Sequence, residues 1–131
     1  MKASRYIPLS SRFGPDVQRA VRLRASDSCE ACGKGLDGCG TFLPVVRYSR
    51  DALPEGVMTS AANAVLMCSP CVRLIEARDP WMEILGFSHS RGADPRLEPM
   101  VIPGRRGFLM VWRGTDGLYH TEPPDGASQA R

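Results

Sequence analysis

LMCSPCVRLIE, residues 66–76, sets two cysteines two residues apart directly ahead of a helix-like stretch. Ser69-Pro70 offers an N-cap and a first helical position, and Asp79-Pro80 offers a stop, so a helix is expected over 70–78. Just upstream, AVLMC (64–68) is a short apolar run and reads as a strand. A second pair, Cys29 and Cys32 in SCEACGKGLDGCG (28–40), precedes Cys68 by thirty-five intervening residues. Two residues between ligands let a tight knuckle aim both sulfurs at one ion, and two knuckles complete a tetrahedron. Cys29, Cys32, Cys68 and Cys71 are therefore expected to hold a structural Zn²⁺, with no coordination position left to activate water. The competing readings are four buried free thiols, disfavoured by the glycines beside the first pair, and a redox couple. Neither pair opens a helix after a strand in a thioredoxin-like order. Cys39, seven residues beyond Cys32, reads as a spare thiol near the site.

Working outward, Pro15 stands where a helix can begin, and PDVQRAVRLRAS (15–26) follows with Val17, Ala20 and Val21 as its buried stripe. TFLPVVRYS (41–49) has strand composition, with Pro44 confining it to an edge or bulge. RDALPEGVMTSAAN (50–63) reads as a loop, PWMEIL as a short helix closed by Gly86, and 87–99 as a loop. Residues 100–122 split into three apolar runs at PGRRG and GTDG, the pattern of a small β-meander. The expected division is an N-terminal arm (1–13), a core (14–86), a C-terminal loop and meander (87–122) and a disordered tail (123–131), in an α+β fold.

The chain has 131 residues, 43% hydrophobic and 24% charged, enough for one core. No apolar run approaches the roughly 20 residues that cross a bilayer, and MKASRYIPLSSRFGP lacks the apolar segment of a secretory signal. A cytoplasmic location is expected, where such cysteines read as metal ligands. The net charge of +3 divides unevenly, with nine Lys/Arg against four Asp/Glu in residues 1–50 and eight against ten thereafter. A basic N-terminal half can lie against phosphates.

The order of basic helix, Cys-x-x-Cys, hairpin, Asn63 before an apolar strand, Cys-x-x-Cys and helix resembles the zinc-ribbon subgroup of the HNH (ββα-metal) endonucleases, over roughly residues 16–79. RDPWMEILGFSHSRGADP and the strands after it are similar to the tails of small HNH proteins of actinobacterial phages, which implies a bacterial host cell as the setting. In that family the first strand ends in a histidine, often doubled, that acts as general base. An asparagine orients it, and a histidine after the last cysteine binds the catalytic metal. Here Val45 and Val46 replace the first histidines and Val72 the last, while Asn63 and Arg47 match.

Valine has no lone pair, so it neither accepts a proton from water nor binds a metal, and loss of a general base alone costs about 10²–10⁴-fold in rate. The resemblance thus implies an HNH-like ββα core that is catalytically silent, with a structural zinc and no catalytic metal. The alternative is an active metal-dependent HNH endonuclease with relocated residues, drawn from His89, His120, Asp51, Glu76 or Asp79.

What survives is binding. The expected partner is duplex DNA, a host or phage protein of nucleic-acid metabolism, or both, with no membrane and no small-molecule substrate. The DNA candidates are Arg19, Arg22, Arg24, Arg47, Arg50, Arg73 and Arg78. The candidate protein anchors are Trp81 and Met82, and Phe108, Met110 and Trp112 on alternate positions of one strand, a pattern that equally fits the core face of a sheet.

Overall fold

The computed structural model describes residues 13–45, 55–88 and 94–126. They form a mixed α+β fold with four helices and two small antiparallel sheets. Helix α1 (Pro15–Arg24) starts on a proline whose fixed φ and missing N–H suit a first turn, and it buries Val21 completely. Strand β1 spans Thr41–Pro44, and residues 46–49 of the expected strand lie outside the described residues. Residues 55–63, expected as loop, carry a helical turn, α2 (Glu55–Met58), and a 3₁₀ turn over Ala61–Asn63. The Ser60 hydroxyl caps the latter by accepting the Ala62 N–H at 3.2 Å, a local bond that polarity alone does not announce.

Strand β2 (Ala64–Met67) pairs with β1, Phe42 opposite Leu66 and Pro44 opposite Ala64. All four β2 residues are buried, as a continuous apolar run demands. β1 is an edge of this sheet, where Pro44 lacks no ladder bond.

Helix α3 (Ser69–Glu76) begins one residue earlier than expected, with Cys68 rather than Ser69 as N-cap. Cys71 and Ile75, four apart, form its buried stripe. Two residues past its end Arg78 takes the left-handed region (φ 58°), and the Asp79 carboxylate then caps α4 (Pro80–Ile84) by accepting the Trp81 N–H at 2.9 Å. Gly86 follows at φ 89°, where a Cβ would lie 2.2 Å from the Pro99 carbonyl, so only glycine fits. Strands β3 (Met100–Gly104), β4 (Gly107–Arg113) and β5 (Tyr119–His120) make the second sheet in the order β3-β4-β5. Met100, Ile102 and Val111 from this sheet join Val21, Phe42, Leu43, Ile75, Met82 and Phe87 in one apolar cluster.

Two buried arginines join the layers. The Arg24 side chain is 1% exposed and Glu30 0%. Arg24 Nε and Nη2 donate to the two carboxylate oxygens of Glu30 at 2.9 and 3.1 Å, while Nη1 and Nη2 donate to the carbonyls of Ala61 and Ala64 at 2.7 and 2.5 Å. This corrects the expectation for Arg24, whose guanidinium has no path to DNA. Glu30 also accepts the Leu66 N–H at 2.9 Å and the Tyr119 hydroxyl at 2.5 Å, and the Arg24 guanidinium lies over the Tyr119 ring. Burial opposes the charge of Arg24, but the Glu30 carboxylate more than offsets it and raises the guanidinium above its ordinary range. Burial first, and the same carboxylate after it, raise the Tyr119 phenol and keep it a donor.

Arg113 is 1% exposed and donates to the carbonyls of Ala62 and Gly86 at 3.1 and 3.2 Å. Burial, and secondarily Arg24, depress it to about 9. Together the two arginines satisfy the carbonyls of Ala61, Ala62 and Ala64 in a buried segment that water does not reach.

Removing one partner from a buried ion pair leaves the other uncompensated and typically costs about 3–5 kcal/mol. Glu30→Ala is therefore expected to destabilise the metal-saturated protein by that amount in urea unfolding, and Tyr119→Phe by about 1.5–3 kcal/mol, the worth of a hydrogen bond to a charged group. A Glu30→Ala loss below about 1 kcal/mol, well under the usual penalty, contradicts the assigned role.

Candidate metal centre

The first knuckle is built by local hydrogen bonds. The Cys29 N–H donates to the Lys34 carbonyl at 2.8 Å and the Gly33 N–H to the Cys29 carbonyl at 2.7 Å, with Ser28 bridging Gly35. Gly33 takes φ 82°, which turns the chain directly after Cys32. The second knuckle is the junction of β2 and α3, where Cys68 caps the helix and Cys71 points inward from its first turn. Against the expectation, this pair does open a helix after a strand; the sulfurs of Cys29 and Cys32 beside it are what set it apart from a redox pair. The knuckles meet because Glu30 lies along β2, its N–H donating to the Leu66 carbonyl at 2.9 Å while its carboxylate takes the Leu66 N–H.

The sulfurs of Cys29, Cys32, Cys68 and Cys71 lie within 4.8 Å of one another. Cys32 Sγ and Cys68 Sγ are 3.7 Å apart. A zinc tetrahedron with 2.3 Å bonds has sulfur–sulfur edges of about 3.8 Å. The four could therefore hold a metal ion such as zinc, with Cys29, Cys68 and Cys71 buried and Cys32 at the surface. Burial pushes the thiols of Cys71 and Cys29 upward, and the charge of Cys29 adds to the rise at Cys71. At Cys68 burial works the same way, but the Cys71 amide and the neighbouring thiols outweigh it and lower that group. Four adjacent thiolates repel one another, so a divalent cation is the counter-charge that lets all four ionise. Cys39 is exposed and outside the cluster.

The other candidate residues are scattered. Arg19 and Arg22 are on α1, paired with Asp16 at 3.2 Å and Asp27 at 3.0 Å, and the Arg22 guanidinium also covers the Phe42 ring. Arg73 is exposed on α3 and Arg78 is exposed just past its end. Val46, Arg47, Arg50, Asp51 and His89 lie outside the described residues. Val45 is fully buried, its N–H donating to the Asn63 carbonyl at 2.9 Å. Asn63 is fully buried too, its side-chain amide on the Met58 carbonyl at 2.9 Å. Val72 packs partly buried against the core, while Glu76 is exposed.

The alternating set on β4 does not share one environment. Trp112 is buried, whereas Phe108 is 76% and Met110 39% exposed, because the hairpin projects past the core. Trp81 is 62% exposed and Met82 buried, so Met82 is not an interface anchor. His120 pairs with Asp116 at 3.0 Å beside a 350 Å³ cavity lined also by Trp112 and Arg113. The Leu118 amide first, and His120 after it, hold Asp116 below the usual carboxylate range. Glu30, Arg113 and Tyr119 escaped sequence reasoning, since their partners are distant in the chain and no spacing marks them. Among the described residues no helix is long and apolar enough to cross a membrane. No family model, curated protein or solved structure matches this chain.

One Zn²⁺ per chain is expected by metal analysis. Co²⁺ in its place should give the absorption of a tetrahedral thiolate site, which Cys68→Ser or Cys71→Ser abolishes and Cys39→Ser leaves intact. The ligands are thiolates in the complex but thiols when free below about pH 8.5. Proton competition should therefore weaken apparent zinc affinity as pH falls and eventually release the ion. Metal retention unchanged in Cys68→Ser refutes the assignment.

Proposed function

We propose that the protein is a metal-held, catalytically silent relative of the HNH endonucleases that acts by binding duplex DNA. The succession β1, β2, α3, with one cysteine pair ahead of it and the other at the β2–α3 junction, supports the kinship. The reading is carried by Val45. Of Val45 and Val46, which stand where the family carries its histidine pair, Val45 is 0% exposed inside the apolar cluster. No water reaches that side chain and no lone pair awaits it.

Val72, at the family's metal-ligand position, packs on the same cluster. Four thiolates would close the coordination of a zinc ion, so that ion would hold the scaffold and not activate water. His120 faces Asp116 on the second sheet and belongs to neither knuckle. Binding needs none of these groups. The excess of Lys/Arg in residues 1–50 and the exposed Arg73 and Arg78 favour a phosphate-bearing partner.

A protein partner is the second reading, favoured by Trp81 and Ile84, 62% and 65% exposed and three residues apart on one face of α4.

Purified zinc-loaded protein should leave supercoiled plasmid intact with Mg²⁺ or Mn²⁺, yet retard a duplex with affinity that drops steeply as salt rises. Metal-dependent nicking overturns the catalytically silent reading. Absence of retardation at low salt overturns the DNA reading in favour of a protein partner.

A further inference from the structure

Ten Lys and Arg residues fall among those described, and their surroundings sort them. Arg24 and Arg113 are interior, and Arg19, Arg22 and Arg96 are held by carboxylates. Lys34, Arg73, Arg105 and Arg106 have no carboxylate partner among the described residues. Three of these four belong to one place. Lys34 is on the first knuckle, and Arg105 and Arg106 form the turn between β3 and β4, all exposed. The knuckle rests on the hairpin, since a Cβ on Gly33 would touch Pro103 Cγ at 3.3 Å. Beside them lies a 410 Å³ groove lined by Gly33 and Arg105 together with Ser26, Ser28, Gly104 and Tyr119, and Lys34 and Arg106 are the chain neighbours of Gly33 and Arg105.

We infer that this knuckle–hairpin groove is the principal nucleic-acid contact, with Lys34 on one lip and Arg105 and Arg106 on the other gripping successive backbone phosphates. The inference rests on the DNA-binding reading and deepens it by moving the contact away from α1. Both lips are fixed. The four cysteines anchor the knuckle, and the Tyr119 bond to Glu30 ties the second sheet beneath it. Cations held apart on a rigid frame reach phosphates without ordering long loops first. Glu30, the carboxylate lining the groove, is neutralised by Arg24 and leaves the lips cationic. Phe108, exposed next to the turn, would also suit a lipid surface. A flat bilayer, however, does not follow a concave groove with charges on both lips, whereas a phosphodiester strand does.

The test is a salt titration of duplex binding by the zinc-loaded full chain. Arg105→Ala/Arg106→Ala should weaken binding and flatten the slope of log K against log salt by about 2, and Lys34→Ala by about 1. Arg73→Ala is the comparison, expected to change the slope less than the double variant. All three variants change exposed side chains, so zinc content and thermal melting should match the parent. If the parent binds but its slope is lost with Arg73→Ala and kept in Arg105→Ala/Arg106→Ala, the groove is wrong while the DNA reading stands. If the parent does not bind duplex, both fall. Binding to phosphatidylserine vesicles that depends on Arg105 and Arg106, without duplex binding, replaces the groove with a membrane contact.

Discussion

Glu30 is where the molecule is tied together. A short, fully apolar strand such as β2 has peptide groups on its outer side that the β1 ladder does not reach, and water is excluded there. Glu30 serves Leu66 twice, accepting its N–H through the carboxylate and donating its own N–H to the Leu66 carbonyl. The residue thus acts as a one-residue third strand. Its neighbour is Cys29, and Cys68 is two residues past Leu66, so this pairing brings one sulfur from each knuckle to the same end of β2. The cysteine cluster is completed from a geometry that the polar contacts have already arranged.

The carboxylate that makes this possible is itself a burden inside an apolar core. An unpaired buried charge costs several kcal/mol. Arg24 removes that cost with a bidentate contact, and its remaining donors take the carbonyls of Ala61 and Ala64. Tyr119 takes the last position on Glu30 and fastens the second sheet to the first knuckle. Such a pair adds little net stability relative to well-packed apolar residues, but it accepts only one arrangement of α1, the knuckle, β2 and β5. The cysteine cluster and the ion pair therefore divide the work. The four sulfurs close the long loop between the knuckles, and the carboxylate fixes which face of β2 the first knuckle covers.

Features governed by neighbours in the chain were readable from the sequence. The two cysteine pairs announced the cluster, the prolines at 15, 70 and 80 marked helix starts, and the run Ala64–Met67 announced a buried strand. The cap of α3 was misplaced by one residue because Ser69 looks like the better side-chain cap, while the helix starts from Cys68 without a side-chain bond. What stayed hidden depends on partners far apart in sequence. Arg24 reaches carbonyls 37 and 40 residues away and Arg113 one 51 residues away, and nothing in either local pattern separates a buried guanidinium from a solvated one. The alternation of Phe108, Met110 and Trp112 gave the correct strand period but not the depth. Only the packing shows that the hairpin tip leaves the core before Met110.

That blindness matters for function, because a count of basic residues is a poor guide to a phosphate surface. Among the described residues the interior removes two arginines from the count and ion pairs restrain three more, so the available charge there is smaller than composition implies and differently placed. On the proposed kinship, the same separation explains how chemistry can disappear while the scaffold persists. The residues that hold this fold are four cysteines, Glu30, Arg24, Tyr119 and Arg113, and none of them stands at a position where the endonucleases carry a catalytic histidine. Exchanging a polar, metal-binding histidine pocket for valines such as Val45 would, on the same kinship, add apolar contact to the core and remove a desolvation penalty, a change that works with the fold's stability. On that proposed descent, a scaffold whose stability does not depend on the ancestral active site would be free to keep its surface and change its task.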